Sequence, residues 1–90
     1  MNWRFEVVGG PYGGVTEGPA WDGECLLFTH IPTSQILSFN PASGETTLVH
    51  SDTHCANGLM LDPNGQLFAC QGDQRRVVRY EKQGGIRVLA

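Results

Sequence analysis

Short apolar runs broken by Gly, Pro, Asn and Asp mark this chain from end to end. The runs are too short for helices, and their spacing predicts strands at residues 19–22, 25–29, 35–39 and 45–49, then at 58–61, 67–70, 77–81 and 86–89. An earlier stretch, 3–8, alternates Trp3, Phe5 and Val7 with Arg4 and Glu6, and predicts a further strand. The Gly-rich segment 9–14 reads as a loop. It lacks the Lys-Ser/Thr ending and the following helix of a phosphate-binding loop. Between the strands lie turns with their own chemistry, such as Asp22-Gly23, Asn40-Pro41-Ala42-Ser43-Gly44 and Asp62-Pro63-Asn64-Gly65. Gly supplies positive φ there, Pro presets φ, and Asn or Ser bonds its own backbone. No stretch carries a stripe of period 3.6, so essentially no helix is expected.

The pattern also repeats. Glu17-Gly18-Pro19-Ala20-Trp21-Asp22 aligns with Asn57-Gly58-Leu59-Met60-Leu61-Asp62, at an offset of 40 residues. Leu27-Phe28 falls on Leu67-Phe68 at the same offset, and one residue of slippage later Ile36-Leu37-Ser38-Phe39 matches Val77-Val78-Arg79-Tyr80. A period near 40 built from short strands predicts an all-β chain of about two four-stranded antiparallel blades of a β-propeller. The second strands, 25–29 and 67–70, are apolar at successive positions, as expected for strands covered on both faces. The expected organisation is a partial propeller over 1–90, with an N-terminal strand and Gly-rich loop at 1–14, one blade at 15–50 and a second at 51–90.

Composition narrows the function. A hydrophobic share of 40% fits a globular chain. The net charge of -3 offers no broad attraction to nucleic acid or anionic membrane, and neither is expected as a partner. Arg75-Arg76 reads as a solvated turn. No signal-peptide pattern opens the sequence, which leads to a cytoplasmic expectation. Cys25, Cys55 and Cys70 show no paired spacing, so buried, reduced thiols are expected rather than disulfides or a structural zinc site.

The repeat singles out Glu17 and Asn57. They hold equivalent places at the start of two inner strands, and inner strands line the channel of a propeller. A carboxylate and an amide oxygen converging there suit a hard divalent cation. Taken singly, Glu17 also reads as an exposed Glu before a turn, and Asn57-Gly58 as a tight turn. His30 caps a strand end or stands near the channel mouth. His54 borders the site, being three residues before Asn57. The spacing of His50 and His54 would suit a helical metal site, but their surroundings read as loop.

These motifs, followed by Leu27-Phe28-Thr29-His30-Ile31-Pro32, then Ala56-Asn57-Gly58-Leu59-Met60-Leu61-Asp62, then Arg75-Arg76-Val77-Val78-Arg79-Tyr80, resemble the opening of the SMP-30/gluconolactonase/luciferin-regenerating enzyme family. The resemblance spans about residues 15–81. It implies a six-bladed propeller with one divalent cation on its axis, calcium foremost, with magnesium, manganese or zinc as alternatives. It implies a lactonase whose cation polarises the carbonyl of a small-molecule lactone for attack by water. By the same resemblance Glu17 is the first metal ligand, and Asn57 contacts substrate or metal-bound water. The other ligands and the general base have no counterpart here. The N-terminal strand is implied to complete the last blade. Gln71 and Gly72 depart from the pair seen in some relatives, which leaves the substrate open.

Two functions follow as expectations. One is an N-terminal fragment of a metal-dependent lactonase-like hydrolase, inactive alone. The other is a non-catalytic propeller segment that binds or self-assembles through its open blade faces, with three copies closing a ring.

Overall fold

Two four-stranded antiparallel sheets follow one another along the chain in this computed structural model, which describes residues 3–90. The first contains β1 (Thr16–Trp21), β2 (Leu26–His30), β3 (Gln35–Phe39) and β4 (Thr46–His50). The second contains β5 (Ala56–Leu61), β6 (Leu67–Gln71), β7 (Arg76–Tyr80) and β8 (Ile86–Val88). Each sheet is ordered as its strands occur, a simple up-and-down blade. The one helical element among the described residues is a 3₁₀ turn, Ile31–Thr33, between β2 and β3. All eight blade strands predicted from the sequence are present, displaced at some ends by one to three residues. The largest displacement is at β1, which begins at Thr16 and so takes Glu17 and Gly18 into the sheet.

The pairing registers relocate the slippage in the repeat. Leu26 pairs with Phe39 in the first blade and Leu67 with Tyr80 in the second, an offset of 41 already at the start of the second strand. Leu27 is therefore equivalent to Phe68, not to Leu67. The extra residue sits earlier, in the β5–β6 turn. Asp22 N–H bonds the carbonyl of Cys25 at 3.0 Å, whereas Asp62 N–H reaches one residue further, to Gln66, at 3.1 Å. Side-chain counting in sequence missed this because Leu27-Phe28 and Leu26-Leu27 both offer an apolar match to Leu67-Phe68.

Strand alternation then explains the core. In β2 and β3 one face presents Leu27, Thr29 and Ile36, and in β6 and β7 the facing side presents Leu67, Ala69, Val78 and Tyr80. With Ala56 and Leu59 of β5, their apolar members form one cluster at the blade-to-blade contact. Ile36 and Val78 have no exposed surface. Burying each such side chain contributes about 1.5–3 kcal/mol relative to exposure.

The expectation of second strands covered on both faces needs correction. β6 alternates: Leu67, Ala69 and Gln71 are buried, Phe68 is half-buried and Cys70 is exposed. Among the described residues, only one face of blade two has a neighbouring sheet. None of the three cysteines is fully buried either; all are free thiols, Cys70 exposed.

The predicted N-terminal strand is also corrected. Residues 3–8 form no strand, and Trp3, Phe5 and Val7 are 76%, 95% and 88% exposed. Alternation shapes a strand, but a strand also needs an edge to pair with, and among the described residues none pairs with this segment. Met1 and Asn2 of the 1–14 segment lie outside the described residues. Further along, Tyr12 crosses the outer face of blade one and meets Phe28 edge-on, ring centroids 5.7 Å apart.

The ends of the blades are not alike. β1 and β5 start, β2 and β6 end, and β3 and β7 start at one end, hereafter the mouth. The mouth turns, 31–34 and 72–75, have the same length. At the base, turns 22–25 and 62–66 differ by one residue, and so do 40–45 and 81–85.

Candidate functional site

The inner strands of both blades are interrupted at equivalent points. The register shifts between Glu17 and Ala20 in β1, and between Asn57 and Met60 in β5. Gly18 and Gly58 sit inside these bulges with φ of 60° and 62°. A bulge with a left-handed glycine bends its strand and re-aims the preceding side chain. Here it turns Glu17 and Asn57 toward each other.

Close approach of the strands completes the arrangement. A Cβ at Gly18 would lie 2.8 Å from Asn57 Oδ1 and 2.9 Å from the Gly58 nitrogen. Only glycine lets the two backbones come this near. Across that gap Asn57 Nδ2 donates to Glu17 Oε2. Asn57 Oδ1 accepts the Gly58 N–H at 2.7 Å. Behind Glu17, the buried Thr29 hydroxyl donates to its carbonyl at 3.0 Å and fixes the backbone from the neighbouring strand. Glu17 itself is exposed and Asn57 half-buried. The sequence reading placed this pair together, and the structure brings them into contact.

The two histidines stand at the same mouth without joining the pair. His30 is buried at the end of β2. Its Nε2 lies 2.7 Å from the Gly13 carbonyl, which only accepts, so Nε2 carries a hydrogen. Its Nδ1 lies 2.6 Å from Thr33 Oγ1. Both ring nitrogens are thus engaged in tying the Gly-rich loop to the mouth turn. His54 pairs with Asp73 at 3.5 Å, both half-exposed. It lines a cleft of about 250 Å³ with His50, Asp52, Gln71 and Tyr80. Among the described residues no hydrogen bond joins either histidine to Glu17 or Asn57. Burial lowers the pKa of His50 in this cleft. Burial raises that of Tyr80, with Gln71 and Arg76 opposing.

A clasp at the mouth was not read from the sequence. Ser34, left-handed at φ 51°, accepts the Thr53 N–H on its carbonyl at 3.0 Å and the Cys55 N–H on its hydroxyl at 3.0 Å. It holds a loop in which Asp52, His54 and Cys55 all have positive φ. That loop delivers the chain to Asn57. Its repeat-equivalent, Arg75, has the same φ of 51° but unlike chemistry, so no residue identity marked the position.

The donor set fits part of a cation site. Glu17 offers a carboxylate, the ligand type a hard cation takes. Among the described residues no group of three or more His, Cys, Asp or Glu is placed to hold a metal ion. Calcium takes about 6–8 oxygen ligands, so Glu17 and Asn57 do not by themselves make up such a site.

No protein-family profile and no curated protein matches this chain. Among solved structures it is similar to a gluconolactonase from Xanthomonas campestris, with 23% identity and a TM-score of 0.76. The likeness covers 83% of this chain and 25% of that one, so the chain spans about a quarter of that protein's length. In fold, this chain is two successive blades of a β-propeller.

Proposed function

We propose that the chain supplies two blades of a metal-dependent, gluconolactonase-type lactone hydrolase of the SMP-30 class, and that these blades do not hydrolyse lactone alone. The observation that supports this most directly is the contact of Glu17 with Asn57 at the bulged starts of two adjacent inner strands. In this reading Glu17 is a ligand to a divalent cation, calcium before magnesium, manganese or zinc. Asn57 stands beside it, facing substrate or the cation's water. The remaining ligands and the general base come from further blades, and a small lactone is the substrate of the whole propeller. His30 serves the mouth as a structural tie rather than a substrate contact. His54 serves it through its pair with Asp73.

Calcium titration by calorimetry tests this on the chain and on its Glu17→Gln variant, alongside hydrolysis of a sugar lactone. Weak binding by the wild type, loss of it in the variant, and no hydrolysis above buffer are expected. Unchanged calcium binding in the variant overturns the reading.

A second reading, a self-assembling segment, is favoured by one feature. The outer face of blade two carries Met60, Phe68 and Val77, equivalents of Ala20, Leu27 and Ile36, which blade one buries against blade two. Met60 is 68% exposed. Light scattering that finds a stable monomer rules this reading out.

A further inference from the structure

The side-chain amide of Asn57 has two partners that fix its orientation. The Gly58 N–H can only donate, so the atom facing it is the oxygen. The Glu17 carboxylate, when ionised, can only accept, so the atom facing it is the nitrogen. A flipped amide would set oxygen against carboxylate and NH₂ against N–H. The assignment is therefore imposed by chemistry at both ends and not by choice of convention.

We infer that Asn57 is a positioning residue for Glu17: its amide, anchored on the Gly58 N–H, clamps one carboxylate oxygen and leaves the other free for a ligand. Three features build the clamp. The left-handed Gly58 brings its own N–H back onto the Asn57 side chain. Gly18 admits that side chain where any Cβ would collide with it. Thr29 holds the Glu17 backbone from the other side. A solvent-exposed Glu otherwise samples several rotamers and loses that freedom whenever it binds something. Ordered beforehand, it binds at lower entropic cost. The second Nδ2 hydrogen of Asn57 remains to donate to a ligand oxygen, so clamping and ligand contact coexist in one side chain. Amides that orient a carboxylate ligand in this way typically change metal affinity by about 10–100-fold when removed.

The ligand half of this inference rests on the proposed cation site; the clamp itself does not. The test therefore has two arms on the whole chain. In the first, side-chain NMR follows Asn57 Nδ2–H₂ and the three-bond couplings of Glu17, without metal. The wild type should show one dominant Glu17 rotamer and one Nδ2 proton moved downfield by its bond to the carboxylate. Glu17→Ala should return both Nδ2 protons to the shifts of an unclamped side-chain amide, which stay distinct because the C–N bond does not rotate freely, while the Gly58 amide shift holds. Asn57→Ala should average the Glu17 couplings with the backbone spectrum otherwise retained. Averaged Glu17 couplings in the wild type overturn the clamp.

In the second arm calcium alone is titrated. Asn57→Ala should bind about tenfold more weakly, and Asn57→Ser, which keeps a short donor, should recover part of the loss. Equal affinity in wild type and Asn57→Ala overturns the ligand half. If the wild type binds no calcium, the proposed cation site fails, and the first arm still decides the clamp.

Discussion

His50 and Tyr80 stack across the blade boundary, with ring centroids 4.2 Å apart and planes at 22°. One belongs to the last strand of blade one and the other to the third strand of blade two, so the pair pins the outer edge of blade one to the body of blade two. Burial lowers the pKa of His50 below the ordinary 6.5, because charging the ring costs solvation. The neutral ring is the folded form. The stability it lends is fully present above the unfolded-state value and is lost as pH falls through the lower folded-state value. The thermal midpoint should therefore drop between about pH 7 and about pH 5 more steeply in the wild type than in His50→Phe. Phe keeps the stack and has no proton to take up. Parallel pH profiles would contradict this assignment.

Gly18→Ala should be among the most disruptive single changes at the surface of the axis. It places a side chain at φ 60° and drives a Cβ to 2.8 Å from Asn57 Oδ1. A loss of about 1–3 kcal/mol is expected from backbone strain and the displaced clamp together. Denaturant unfolding measures it, and a change within ~0.5 kcal/mol would show that the strands part without cost.

Ile36→Ala should cost about 2–5 kcal/mol, since Ile36 is fully buried where the blades meet. Leu48→Ala, at a position 51% exposed, should fall within ~0.5 kcal/mol. If both variants unfold at the same denaturant concentration, the blade contact is not the core.

Ser34→Ala removes the acceptor for the Cys55 N–H and should cost about 1–3 kcal/mol if that amide stays dry. The sharper readout is hydrogen exchange. The Cys55 amide should exchange faster in the variant while the Thr53 amide, bonded to the Ser34 carbonyl, is held longer. Uniform exchange at both positions would mean that Ser34 holds the loop through its backbone alone.

The strands were legible in the sequence because each is a short apolar run bounded by residues with a mechanical reason to turn. The Glu17–Asn57 pair was legible because a repeat carries position as well as residue type: equal places in successive inner strands must come near one axis. Other features left weaker traces. The one-residue insertion was misplaced because Leu26-Leu27-Phe28 reads equally well against Leu67-Phe68 in two frames, and only the ladder register separates them. Residues 3–8 carry the alternation of a strand, but pairing is a property of a partner edge and leaves no mark in the segment itself. Ser34 escaped notice because its work is done largely by its carbonyl and its left-handed backbone, which a sequence does not spell out.

The unequal lengths of the base turns have a practical corollary. At the mouth, both turns hold the same count, and the clasp and the paired side chains depend on it. At the base, the chain already varies by a residue in each hairpin while the sheets above stay in matching register. A reporter peptide or a labelling site can thus be spliced in around Gly44 or Gly65, where the space beside the backbone is open. Such graft points give spectroscopic access to the molecule from the end opposite Glu17 and Asn57.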